Sequence, residues 1–360
     1  MGWCLVVQAV LACPAAARNR RQPQSRVRPA VDIVNLHPNR HRIAKEVPVH
    51  DGSVQLPDPV KRMIDERAEA VGFAPLKNAA AAMSAAYRDN RAARLPDPAR
   101  TAAYLVTRMP ATFAAAHAVL RELRERLGAR PISSVLDIGA GAGAASLAAR
   151  ACFPAIEAIT MVERDAALAA AAGQWLPEAA LMLEDVTRVK PLPPHDLVIA
   201  AYSLGEIAEP MAARLWQAAR VALVVVEPGT PRGYALILKA RQELLEAGAC
   251  MAAPCPAATP CPLAAPDWCH FAARVERSSI HRRIKDGELG YEDEKFSYLA
   301  VAREPVDLPA SRIIRRPRQH PGLIELETCT PAGLQSVRAP HHDRQLFRAA
   351  RKAAWGAAWG

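Results

Sequence analysis

The sequence predicts an α/β protein: an open, mostly parallel sheet with crossover helices, a helical region before it and a basic segment after it. Three observations carry this. From Ser134 to Lys239, short β-branched runs alternate with Ala- and Leu-rich helical stretches, as a parallel sheet joined by helices requires. The first of these runs ends in the turn Asp137-Ile138-Gly139-Ala140-Gly141-Ala142-Gly143, whose glycines allow a tight passage from a strand into a helix N-terminus. At 360 residues the chain is long enough for a full α/β core and a further module.

Taken in order, residues 1–52 read as a basic, disordered arm. An apolar run from Trp3 to Cys13 is followed by Arg18, Arg20, Arg21, Arg26 and Arg28. A secretory signal would carry its positive charge ahead of the run. The Arg-rich, acid-poor stretch fits a mitochondrial transit peptide better, and an over-extended start codon would give the same composition. Residues 53–130 read as helical. Val60, Met63 and Ile64 open one amphipathic stretch, Leu76–Tyr87 is an Ala-rich second, and Ala102–Met109 and Pro110–Leu127 follow the break at Pro96 and Pro98. Pro110 suits a first helical turn, where its missing N–H costs nothing.

Residues 131–303 carry the sheet. Strands are expected at Ser134–Ile138, Ala158–Val162, Leu181–Leu183, Asp196–Ala201 and Ala222–Val226, with helices at Ala144–Ala151, Ala166–Trp175, Met211–Ala219 and Gly233–Gly248. His270–Val275 and Lys295–Ala302 have strand character and are expected to add an antiparallel edge pair. The basic stretch Ser278–Lys285 lies between them. Residues 304–360 form a basic C-terminal segment with one short strand at Leu323–Leu326. Between Arg312 and Lys352 it holds nine Arg or Lys against three acids.

Mean hydropathy is −0.03, and no apolar run approaches the roughly 20 residues of a spanning helix. The expectation is no membrane association. A net charge of +10 and a pI near 9.4 favour a polyanionic partner, nucleic acid first. Eight cysteines in a chain of this length do not make a disulfide scaffold.

The glycine turn departs from the dinucleotide fingerprint, which needs its third glycine three residues after the second. Gly139, Gly141 and Gly143 are evenly spaced and follow Asp137. That pattern resembles class I methyltransferases, in which the acid and glycines surround the amino-acid end of S-adenosylmethionine. Glu163, ending the second strand, stands where that family's acid holds the ribose hydroxyls. Asp185, after the third strand, stands where a side chain reaches the adenine. The strand-four sequence Ala200-Ala201-Tyr202-Ser203-Leu204-Gly205-Glu206 carries neither an Asn/Asp-Pro-Pro-aromatic motif nor a nucleophilic cysteine. Tyr202 and Glu206 are the acid/base candidates there, and no residue is assigned to catalysis.

Cys255, Cys261 and Cys269 fall within the proline-rich segment 250–270. In a reducing compartment this clustering reads as metal binding. Three thiolates need a fourth ligand for tetrahedral zinc or a cubane cluster, and Cys250, His270 and Cys329 are the candidates. Zinc usually takes cysteines in C-x2–4-C pairs. The wider intervals here and the Cys-Pro steps lean toward iron–sulfur, although spacing leaves the two metals nearly even.

Ala103-Tyr-Leu-x-x-Arg-Met-Pro-Ala-Thr112, the Asp137 turn, Glu227-Pro-Gly-Thr-Pro231, Asp267-Trp-Cys-His-Phe271 and Tyr291-Glu-Asp-Glu-Lys-Phe-Ser-Tyr298 together resemble one family. It comprises the methyltransferase-like assembly factors of the mitochondrial small ribosomal subunit and their bacterial relatives. The resemblance implies a class I methyltransferase-like (Rossmann-like) sheet with a cysteine-rich metal-binding insertion. It implies S-adenosylmethionine at Asp137, Gly139, Gly141, Gly143, Glu163 and Asp185, and a [4Fe–4S] cluster on Cys255, Cys261, Cys269 and Cys329, with zinc as the alternative. It further implies binding to the rRNA and proteins of the small ribosomal subunit by a chain that is monomeric when unbound. Activity as an S-adenosylmethionine-dependent methyltransferase follows by likeness, although methylation is in doubt for some members. The compartment would be bacterial cytoplasm or, alternatively, the mitochondrial matrix. The competing reading is a conventional methyltransferase of a protein or small molecule, with structural zinc or no metal.

Overall fold

The structure is a computed structural model that describes residues 54–88, 97–207 and 210–360. The expected basic arm 1–52 lies outside the described residues. Four helices come first: α1 (Asp58–Val71), α2 (Phe73–Arg88), α3 (Pro98–Thr107) and α4 (Met109–Leu127). Pro sits in the first turn of α1, α3 and α4. Asp97 caps α3 by accepting from the Arg100 amide at 2.8 Å, which satisfies a donor the helix cannot. On α4, Met109, Phe113, Leu120, Leu123 and Leu127 are buried, and this stripe packs the helix over the sheet.

The main sheet holds β1 (Ser134–Ile138), β2 (Ala158–Glu163), β3 (Ala180–Leu183), β4 (His195–Ala201), β5 (Ala219–Pro228), β6 (Cys250–Ala253), β7 (Phe271–Glu276) and β8 (Tyr291–Ala302). Crossovers are made by α5 (Ala144–Cys152), α6 (Ala166–Trp175), α7 (Ala212–Ala218) and α8 (Pro231–Glu246), and α9 (Ser279–Ile284) links β7 to β8. The order is β3-β2-β1-β4-β5-β8-β6, with β7 paired to β8. Strands β3 to β5 are parallel, whereas β8 runs antiparallel to β5, β6 and β7.

Alternation along each strand splits the core into two faces. Val135, Leu197, Ile199, Val224 and Val226 join the helices of the N-terminal side. Leu136, Val198, Ala200, Leu223 and Val225 face α7 and α8.

The expected edge pair is corrected. Strand β8 lies inside the sheet, because Phe296 to Ala302 is an unbroken buried run, the signature of a strand covered on both faces. Its C-terminal half pairs with β5 and β6, and its N-terminal half pairs with β7.

The C-terminal segment also holds more structure than the single expected strand. It forms β9 (Ser311–Ile313), β10 (Arg318–His320), β11 (Leu323–Thr330), β12 (Gly333–Pro340), α10 (Arg344–Lys352) and β13 (Ala358–Trp359). The strands make one antiparallel sheet centred on β11. Ile324, Leu326 and Thr328 of β11 are buried. Ile324 and Leu326 pack with Ile313, Ala339 and Ala350 in a core separate from the main one. Alternation therefore puts Cys329 on the opposite face of β11 from this small core.

Candidate functional site

Two sites emerge, one at the carboxyl ends of the parallel strands and one where the C-terminal sheet meets the main domain.

In the glycine turn, Gly139, Gly141 and Gly143 take φ of 64°, 56° and 77°, a region that favours glycine. Space excludes side chains as well. A Cβ on Gly139 would lie 2.6 Å from Ser203 Cβ, and one on Gly141 would lie 2.6 Å from the Tyr104 hydroxyl. The Gly139 and Ala140 amides donate to the Val162 carbonyl at 2.9 and 3.1 Å, which ties the turn to the end of β2.

Asp137 is 1% exposed and accepts from Ser146 Oγ at 2.7 Å, joining β1 to α5. Burial pushes its carboxyl up to about 6, against the pull of that hydrogen bond. Glu163 Oε2 accepts from the Gly141 amide at 2.7 Å, and Oε1 accepts from the Arg164 and Asp165 amides at 2.8 Å each. A carboxylate oxygen has two acceptor positions, so Oε2 keeps one open for a ligand hydroxyl. Asp185 stands apart in an Asx turn, with Oδ1 accepting from the Thr187 amide and hydroxyl at 2.9 and 2.8 Å. These bonds hold its carboxyl below the usual range. Arg164 connects it to the rest, with its guanidinium 4.0 Å from Asp185 Oδ2 and 3.2 Å from Glu206 Oε2. The strand ends thus bring five of the six predicted cofactor residues together and leave Asp185 at the rim.

Several contributors lay outside that set. Ser203 is 7% exposed, and its hydroxyl has no hydrogen-bond partner among the described residues; a buried polar atom of this kind calls for a partner. Tyr202 has φ 58°, strain worth about 1–2 kcal/mol for a non-glycine residue. Its hydroxyl donates to Glu294 Oε1 at 3.0 Å, and Arg108 grips the same carboxylate through both terminal nitrogens at 3.3 and 3.2 Å. Tyr104 on α3 and Arg108, one turn further at the junction of α3 and α4, both belong to the Ala103–Thr112 motif. Glu227, at the end of β5, accepts from the Leu204 and Gly205 amides at 2.9 and 3.4 Å, and burial pushes it up to about 7. Ser203 and Glu227 gave no periodicity to read, because each acts from a strand end.

The second site is a small cavity of about 40 Å³ whose lining includes Cys255, Cys261, Cys269 and Cys329. Its walls are Tyr234, Ile237, Leu263, Phe271 and Leu299 with Arg241 and Arg312. Of the three candidates for a fourth ligand, only Cys329 lies on it. Cys250, on β6, has its thiol 3.9 Å from the Arg303 carbonyl. His270 is stacked on Trp268 and meets the edge of Trp355, with ring centroids 5.2 and 5.0 Å apart. Burial raises the thiols of Cys255 and Cys269, the latter well above its ordinary value with help from the other three cysteines, and takes Cys329 to about 11. Among the described residues no three His, Cys, Asp or Glu side chains stand at metal-ligand spacing, and the six described cysteines form no disulfide.

Two buried arginines hold the cysteine loop. Arg241 Nη2 donates to the Ala257 and Thr259 carbonyls at 3.2 and 2.6 Å. Arg312 Nε donates to the Pro254 carbonyl at 2.7 Å, and its Nη1 to the Gly356 carbonyl at 2.7 Å. Arg241 lines the cavity, and its Nε has no partner among the described residues. Four thiols and two buried guanidiniums suit a thiolate-ligated centre of net negative charge. Sequence could have shown Arg241, since it shares a helical stripe with the buried Tyr234, Ile237 and Leu244. Trp268 Nε1 donates to the Gly229 carbonyl at 3.0 Å and Asp267 pairs with Arg315, which gives the Asp-Trp-Cys-His-Phe motif its role beside the cavity.

The strand order, the single antiparallel β8 and the glycine turn flanked by strand-end acids define a class I methyltransferase-like protein. The family model described as mitochondrial small ribosomal subunit Rsm22 matches residues 98–360, and the chain belongs to that family. It is 27% identical over 287 residues to the human mitochondrial ribosome assembly protein METTL17, covering 70% of this chain and 61% of the relative. The match thus spans less than two thirds of that relative's length. A second relative, trans-aconitate 2-methyltransferase of Klebsiella pneumoniae, is 32% identical over 88 residues, 24% of this chain and 34% of that protein. Among solved structures, a SAM-dependent methyltransferase from Aquifex aeolicus is 15% identical with a TM-score of 0.36, covering 58% of this chain and 99% of its own. Precorrin-6y C5,15-methyltransferase from Geobacter metallireducens is 16% identical with a TM-score of 0.35, covering 52% and 86%.

Proposed function

We propose that this chain is a small-subunit ribosome assembly factor built on a methyltransferase-like scaffold, which binds S-adenosylmethionine, holds a [4Fe–4S] cluster and contacts rRNA. The observation that carries the reading is the meeting of four cysteines, three from the β6–β7 loop and one from β11, on one cavity, in a chain of this family that also carries a glycine turn flanked by strand-end acids.

At the cofactor turn, the glycine backbone gives the ligand's methionine end its close approach. The open position on Glu163 Oε2 accepts a ribose hydroxyl, the Ser203 hydroxyl finds its missing partner, and Asp185 lies at the adenine end. Bound S-adenosylmethionine would supply an electrophilic methyl group, and no side chain here is assigned to its transfer. At the cavity, Cys255, Cys261, Cys269 and Cys329 would hold the cluster as thiolates, with zinc as the alternative metal. Arg241 and Arg312 offset their charge. The cluster would pin the cysteine loop to the C-terminal sheet. Among the described residues no helix is long and apolar enough to cross a membrane.

By likeness to the human relative, whose name places it in mitochondria, we infer the mitochondrial matrix ahead of the bacterial cytoplasm. Gradient sedimentation of the tagged chain with ribosomal subunits tests the assembly reading. The chain is expected to travel with the small subunit at low salt and to leave it as salt rises. Migration with neither subunit would favour a conventional methyltransferase instead.

A further inference from the structure

We propose that the exposed face of α10 is the principal RNA-phosphate contact of this chain. The proposal rests on the rRNA-binding reading and says which part of the surface carries it. The sequence offers two basic stretches, Ser278–Lys285 and the C-terminal segment, and the structure shows which of their cations are paired internally and which are gathered on one exposed surface.

In the first stretch and its flank, Arg277, His281 and Lys285 converge on the one carboxylate of Glu292. Burial would raise that carboxyl, but the side chains of His281, Arg277 and Lys285 that converge on it overcome this and hold it far below its ordinary range. Arg283 lies 4.6 Å over the Phe73 ring. In the C-terminal segment, Arg312 is buried on Glu122, Arg315 pairs with Asp267, Arg318 with Glu327 and Arg338 with Glu325. Arg282 and Arg316 are exposed with no acidic partner among the described residues, but Arg344, Arg348, Arg351 and Lys352 are set apart by sharing one helix. All four are exposed, and none has an acidic partner among the described residues. Spacings of four and three residues set the three arginines on one side of the helix, with Lys352 adjoining. At 1.5 Å per residue, Arg344 to Arg351 covers about 10 Å. The one acid at this helix, Asp343, is its cap, accepting from the Leu346 amide at 3.0 Å.

A basic helix can also serve an anionic membrane, but such a helix needs a free apolar face. Here Leu346 and Phe347 pack against the small core and Ala350 is buried in it. What remains outward is charge without grease, which suits the phosphate backbone of RNA.

Binding of a labelled small-subunit rRNA fragment to the full chain, followed by anisotropy over a salt series, tests this. The variant Arg344→Gln/Arg348→Gln/Arg351→Gln/Lys352→Gln is expected to lower the slope of log K against log salt by about 3 and weaken binding at least tenfold at low salt. The control Arg344→Lys/Arg348→Lys/Arg351→Lys keeps the wild-type slope. An unchanged slope in the Gln variant, or a loss found instead in Arg282→Gln/Arg283→Gln, overturns the α10 assignment while rRNA binding stands. If the wild type does not bind the fragment, the underlying reading fails and the assignment with it. Binding through α10 to phosphatidylserine vesicles but not to RNA would also overturn it.

Discussion

Arg312 Nη2 donates to Glu122 Oε1 at 2.6 Å across 190 residues of chain. The arginine is 1% exposed, and its two remaining donor groups reach the cysteine loop and the Gly356 carbonyl. One side chain therefore joins α4, the cysteine loop and the C-terminal sheet. Removing one partner of a buried pair leaves the other charge uncompensated. Arg312→Ala is expected to cost about 3–5 kcal/mol in urea unfolding and to expose residues 304–360 to protease. Glu122→Gln, which is nearer solvent, is expected to cost less. A loss under about 1 kcal/mol for Arg312→Ala would show that the sheet docks by other means.

The Gly141 turn is closed against the Tyr104 hydroxyl. Gly141→Ala adds a Cβ at φ 56° and 2.6 Å from that hydroxyl, so calorimetric affinity for S-adenosylhomocysteine is expected to fall at least tenfold. Adding Tyr104→Phe removes the clashing oxygen and is expected to restore part of the loss, while the φ penalty stays. Equal affinity in all three proteins would place the ligand elsewhere.

Glu227 gives a pH signature. Its carboxyl rises from 4.5 to about 7 in the fold, through burial against the pull of the Gly205 and Leu204 amides. Its favourable contribution is therefore full below the unfolded value and lost as pH rises through about 7. Relative to Glu227→Gln, which keeps a carbonyl acceptor for the Leu204 amide, wild type is expected to lose stability between pH 5 and pH 8. The size is of order 3 kcal/mol. A constant difference between the two proteins across that range would contradict the burial argument.

Gly229 has no room for a side chain. A Cβ there would lie 2.8 Å from the Lys295 carbonyl carbon and the Phe296 nitrogen, both backbone and unable to move without parting β5 from β8. Gly229→Ala is expected to destabilise by about 1–3 kcal/mol, read as a lower melting temperature. An unchanged melting temperature would mean that the Glu-Pro-Gly-Thr-Pro motif is not a packing device.

Periodicity made the parallel strands and their helices legible. Ser134–Ile138 and Ala166–Trp175 have the expected bounds, and strand-end acids stand out wherever a hydrophobic run stops. Strand β8 was harder. Its buried run is continuous, and nothing local says whether such a run lies inside a sheet or at its edge. The C-terminal sheet was hidden because its strands alternate Ile and Leu with Arg and Glu, so composition registers the charge and misses the period. Arg312 could not be found from sequence. It sits among Arg315, Arg316 and Arg318, and only the fold separates the buried member from the solvated ones. The cysteines were legible as a cluster, and their wide intervals and Cys-Pro steps leaned only slightly toward iron–sulfur; the four-ligand [4Fe–4S] assignment came from resemblance, since spacing does not decide it.

The most direct test is iron, sulfide and zinc analysis with a visible spectrum on anaerobically purified protein, wild type beside Cys329→Ser and Cys250→Ser. The expected result is about four iron and four sulfide per chain in wild type with a broad thiolate-to-iron absorption, kept in Cys250→Ser and lost in Cys329→Ser. Zinc without iron, or iron unchanged by Cys329→Ser, would contradict the four-cysteine cluster.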